Sequence, residues 1–107
     1  MSFNGNEAEQ ITLQEGAEYT ARYRAANPGA KKGVFFGRAH IDKILAQGDC
    51  KGLRFYFANN EDGTPTLVMV GADSNENDLL SVIVERAITC PPSCGNSNLL
   101  NDNAATK

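Results

Sequence analysis

The sequence predicts an α+β domain: two N-terminal helices packed on one face of a small, mostly antiparallel sheet built from a hairpin and a third strand. Three observations carry this. A capping box opens a helical stretch at Thr12, and apolar residues recur at helical spacing around Ile44. Two short apolar runs, Leu53–Ala58 and Thr66–Val70, then flank the turn-forming string Asn59-Asn60-Glu61-Asp62-Gly63.

Residues 1–10 are polar, with two asparagines, a glycine and two glutamates, and read as a flexible lead-in. The first helix starts at Thr12-Leu13-Gln14-Glu15, where hydroxyl and carboxylate can each satisfy the other residue's amide. Ile11 ahead of the cap is placed to pack on Gly16 or Ala17. Asn27-Pro28-Gly29 ends the helix near Ala26. Its apolar stripe of Leu13, Ala17, Thr20 and Ala21, widened by Tyr19 and Tyr23, is thin. A second helix is expected from about Val34 to Gln47, stopped by Gly48. Phe36, His40 and Ile44 would stack along it, with Val34, Ile41 and Leu45 beside them.

In the first strand, Leu53, Phe55 and Phe57 alternate with Arg54 and Tyr56, the pattern of a half-buried strand with its aromatics inward. The second strand is almost continuously apolar and is expected to be central, covered on both faces. Leu79–Ile88 fits either period. Its Val82-Ile83-Val84 cluster favours a third strand over a helix. The whole reads as a single domain over 11–89, followed by a Cys-, Pro- and Asn-rich tail over 90–107.

Composition narrows the function. The chain has 107 residues, 41% hydrophobic and 21% charged, with a formal charge of −3. No apolar run approaches the roughly 18 residues of a membrane span, and the polar, acidic start does not resemble a targeting peptide. No period repeats. The acidic balance argues against general nucleic-acid binding, so neither membrane nor nucleic acid is an expected partner.

Within this acidic chain, residues 22–54 hold eight cations against only Asp42 and Asp49. Arg22, Arg24, Lys31, Lys32 and Arg38 are therefore candidates for binding an anion. The plainer reading is that basic and acidic parts of one fold lie side by side. Aromatics near Arg22, Arg24, Arg38 and Arg54 could likewise stack bases, but Phe55 and Phe57 share a face with Leu53 as core residues do.

An odd number of cysteines, Cys50, Cys90 and Cys94, fits a reducing compartment such as the cytoplasm and argues against a disulfide framework. No cofactor is expected. The alternative is a zinc site of Cys50, Cys90, Cys94 and His40, a Cys3His ligand set that a small domain could fold around. Its C-x-x-x-C spacing lacks the usual two-residue knuckle, and His40 falls on the apolar stripe where a core histidine is commoner. A Cys90–Cys94 redox pair is a weaker reading, since thioredoxin-type motifs place two residues between the thiols. A cysteine-dependent enzyme would have to use His40, the one histidine. No nucleophile elbow, zincin helix or phosphate-binding loop is present. An enzyme is not expected.

The order of motifs is distinctive. Phe36-Gly37-Arg38, Ile44-Leu45-Ala46-Gln47, Gly52-Leu53-Arg54, Asp62-Gly63-Thr64-Pro65-Thr66-Leu67-Val68, Asn77-Asp78-Leu79-Leu80 and Cys90-Pro91-Pro92-Ser93-Cys94 follow one another. This order resembles a group of short, uncharacterised proteins of Bacteroidetes bacteria, over about Ile11 to Leu100. The resemblance implies a bacterial, cytoplasmic setting and carries no activity, cofactor or functional residue with it.

The function expected from the residues is a non-enzymatic interaction or assembly module, a homo-oligomer or the partner of another protein. A small sheet covered on one face leaves a second face to be buried elsewhere, and Arg54, Tyr56, Val68 and Val70 are the candidates for that surface.

Overall fold

A computed structural model describes residues 2–102. It contains two helices, α1 (Leu13–Ala26) and α2 (Arg38–Leu45), and five strands, β1 (Gly33–Phe35), β2 (Gly52–Asn59), β3 (Pro65–Ala72), β4 (Asp78–Val84) and β5 (Ile88–Cys90). The strands form two sheets, β2-β3-β4 and β1-β5. The α+β class is therefore as the sequence predicts. No helix among the described residues is long and apolar enough to cross a membrane.

The chain divides into two compact units. One comprises Phe35–Ala87 together with the described N-terminal residues up to Ala8, and the other Glu9–Val34 together with the described residues from Ile88 onward. Only α2 shares a unit with the three-stranded sheet.

In that unit, β2 and β3 pair in unbroken antiparallel register from Gly52↔Ala72 to Asn59↔Pro65. The reversal is the expected one: the Asn60 amide donates to the Thr64 carbonyl at 2.8 Å, and the Asp62 carboxylate accepts the Thr64 amide and hydroxyl. Gly63 takes a φ of +87°, open to glycine at no steric cost. β4 pairs antiparallel with β3 through Gly71↔Leu79 and Ala72↔Asp78, and the register shifts before Met69↔Val84. The predicted third strand is thus a strand, but it ends at Val84. Arg86 has a φ of +62°, and Ile88–Cys90 then belongs to the other sheet. A left-handed residue turns the chain away from the extended path, which periodicity does not register.

Because directly opposed residues share a face, Leu53, Phe55, Phe57, Leu67, Met69 and Gly71 lie on one side, and Arg54, Tyr56, Val68, Val70 and Ala72 on the other. α2 covers the first side at its Gly71 end. A Cβ built on Gly71 would come within 2.9 Å of Ile44 Cγ2 and of Cys50 Sγ. Ile44 and Met69 are completely buried, with Val70 and Ala72 close behind, so the core lies along the central strand β3, as expected.

The second predicted helix needs correction. Val34 and Phe35 are in β1, Gly37 caps α2 without a side-chain bond, and the helix covers eight residues only. A β-branched residue followed by two aromatics favours extended backbone once a partner strand is available, and β5 is that partner. His40 is consequently exposed on α2 rather than stacked in a core stripe.

In the second unit, α1 begins with the predicted capping box. Glu15 donates its amide to the Thr12 hydroxyl at 3.1 Å, and the Glu15 carboxylate accepts the Thr12 amide at 3.1 Å. It ends at Ala26, where the Asn27 backbone amide and side chain both donate to the Tyr23 carbonyl. Ile11 lies 3.7 Å from where a Cβ on Gly16 would be, the packing expected across the cap.

Candidate interaction surface

β2 is an edge strand. β3 lies along one side of it, and no strand among the described residues lies along the other. Its middle carries Phe55, Tyr56 and Phe57 in succession, with exposures of 42%, 46% and 94%. The sequence expectation that Phe57 packs inward is corrected here: α2 meets this face at Gly71, opposite Leu53, and Phe57 stands four residues further along β2, beyond that cover. Phe55 stands between the two conditions, its ring 5.9 Å from that of Phe36.

The opposite face of the sheet is held by a polar cluster. Arg54 donates to the Asp78 carboxylate at 2.5 Å and to the Glu76 carbonyl at 3.2 Å, and the Tyr56 hydroxyl donates to the second Asp78 oxygen. These bonds from Tyr56 and then Arg54 hold the Asp78 carboxyl below the usual aspartate range, and the bond to Asp78 raises Tyr56. The Phe3 ring lies 5.5 Å from the Arg54 guanidinium carbon, and the Phe3 amide donates to the Ser74 carbonyl at 3.0 Å. The face predicted to be open, Arg54, Tyr56, Val68 and Val70, is thus one contiguous surface, but Val70 is only 3% exposed and Arg54 is engaged from both sides.

The remaining candidates are spread out. Arg22 lies 5.3 Å from the Tyr19 ring, whereas Arg24, Lys31 and Lys32 each donate to a backbone carbonyl, of Leu100, Pro91 and Asn101 respectively. Arg38, on α2, belongs to the other unit. Three of the five proposed anion ligands therefore grip the chain itself.

Cys90 and Cys94 form a disulfide, and Cys50 is the one free thiol among the described residues. The expectation that the thiols stay free or bind metal is corrected for Cys90 and Cys94: their close spacing allows one short pairing, which is not a framework and leaves Cys50 over. The inference of a reducing compartment rested on free thiols, and two of the three are paired. Cys50 donates weakly to the Gly52 carbonyl at 3.4 Å and belongs to a different unit from the pair. Among the described residues no group of three or more His, Cys, Asp or Glu side chains is placed to hold a metal ion.

No protein-family model, curated protein or solved structure matches this chain. The edge strand β2 is the candidate site. Its signal in the sequence is the triple aromatic itself, one residue more than alternation requires.

Proposed function

We propose that the protein is a non-enzymatic interaction module that self-associates through the outer edge of β2. The observation that carries this reading is Phe57, 94% exposed on an unpaired edge. An edge strand is a template for another strand unless charge, proline or a bulge blunts it. Between Gly52 and Asn59 the only charge is Arg54, which is turned to Asp78, and no proline intervenes.

Antiparallel pairing of two β2 strands about Tyr56 supports a second copy as the partner. It sets Phe55 opposite Phe57 of the other copy at both ends of the pair and Arg54 opposite Ala58, so no like charges meet. Each aromatic pair contributes about 0.5–1.5 kcal/mol beyond simple burial.

Light scattering over a concentration series, on wild type and Phe57→Lys, tests the reading. Wild type is expected to dimerise and the variant to remain monomeric with unchanged thermal unfolding. A wild type that is monomeric at about millimolar concentration, or a variant that associates equally well, overturns it.

A further inference from the structure

The disulfide lies at the root of an unusually held segment. Cys90 is the last residue of β5, and its carbonyl accepts the Lys32 amide at 2.5 Å. Within the loop, the Pro91 carbonyl accepts Lys31 Nζ at 2.8 Å and the Ser93 amide donates to Thr89 at 3.0 Å. Beyond it, residues 95–102 form no helix or strand. They are held to the rest of the unit at their far end, where Arg24 donates to the Leu100 carbonyl at 2.7 Å and Lys32 Nζ to that of Asn101 at 2.8 Å. A Leu100 methyl approaches to 3.2 Å of the Cβ position of Gly16, and the Asn101 side chain reaches back to the Cys94 carbonyl at 3.3 Å.

From this arrangement we infer that Cys90–Cys94 is a reversible thiol–disulfide exchange site that controls the docking of residues 95–102 on α1. The bond fixes Cys94 beside the end of β5, so the segment leaves from one defined point and its carbonyls arrive at Arg24 and Lys32. The bonds from Arg24 and Lys32 at the far end are solvent-exposed. Pro91, Pro92 and Ser93 are exposed and both cysteines are partly so, which leaves the sulfurs within reach of a thiolate.

The co-reactant is a dithiol, small or on a redox protein. One of its thiolates attacks one sulfur of the pair, forming a mixed disulfide and expelling the other cysteine as a thiolate. Its second thiol then displaces the first cysteine. The dithiol gives up two electrons and two protons and becomes a disulfide, and Cys90 and Cys94 gain them as two thiols. The freed segment uncovers Gly16 and its neighbours on α1.

Hydrogen–deuterium exchange on the full chain carrying Cys50→Ser, with and without dithiothreitol, tests this. The oxidised protein should show no titratable thiol and the reduced protein two. Reduction should speed exchange over 95–102 at least tenfold while β2 and β3 keep their protection, and oxidation should reverse it. The double variant Cys90→Ser/Cys94→Ser should match the reduced state without reductant. Unchanged protection on reduction, a double variant as protected as the oxidised protein, or a disulfide that resists dithiol in the folded state would each overturn the inference.

Discussion

Arg54 on β2 and Asp78 on β4 join in an ion pair 2.5 Å long that passes over the central strand between them. Their partners on β3 are Val70 and Ala72, adjacent residues along one face, and both are almost fully buried. The pair acts as a tie between the two edge strands, and it closes the face that the helix does not cover. The Phe3 ring over Arg54 extends the cover.

This tie has a defined pH dependence. Asp78 is an acid whose folded value is depressed, by Tyr56 first and Arg54 second. Its contribution is present above the ordinary aspartate value of about 3.9 and is lost as pH falls through the lower, folded value. Asp78→Asn should therefore unfold at lower urea than wild type at neutral pH, and the gap should close in strong acid. A gap that stays constant from neutrality to below pH 3 would show that the charge on Asp78 contributes nothing.

At Gly71 the sheet lies tight against Ile44 of α2. A methyl group there would meet Ile44 Cγ2 and Cys50 Sγ at 2.9 Å and Gln47 Nε2 at 3.3 Å. Ile44 is completely buried and cannot yield easily. Gly71→Ala is expected to cost about 1–3 kcal/mol, the usual range for overpacking. Equilibrium urea unfolding measures it, and a stabilised variant would mean that the helix is free to move off the sheet.

Deleting volume from the same contact tests it in the opposite direction. Ile44→Ala is expected to cost about 2–5 kcal/mol, a large fraction of the stability of so small a core. A loss below about 1 kcal/mol on the same urea curve would mean that the site collapses around the cavity.

The capping box at the head of α1 satisfies two amides that the helix cannot satisfy itself. Thr12→Ala should destabilise by about 1 kcal/mol, whereas Thr12→Ser should be close to neutral. Thermal unfolding followed by circular dichroism distinguishes them. Equal losses in both would assign the effect to the threonine methyl group and not to the hydroxyl.

How much of this was legible depends on the range of the interactions. The sequence by itself determined the start and end of α1, the β2–β3 hairpin with its turn, the central place of β3 and the extended nature of β4. For α1 and the turn the deciding residues are near neighbours, Thr12 with Glu15, Asn27 with Tyr23 and Asp62 with Thr64, and for β3 and β4 they are the apolar and β-branched runs themselves. Tertiary structure decided the rest. Val34 and Phe35 are extended because β5, more than fifty residues later, pairs with them. Phe57 is exposed because α2 meets that face at Gly71, opposite Leu53, and leaves the further part of β2 uncovered. Arg54 and Asp78 were each visible as charges, but only the bonded order β2-β3-β4 brings them together over Val70. Local rules act over a helical turn or a hairpin, whereas coverage of a sheet face depends on the lengths and partners of elements far apart in the chain.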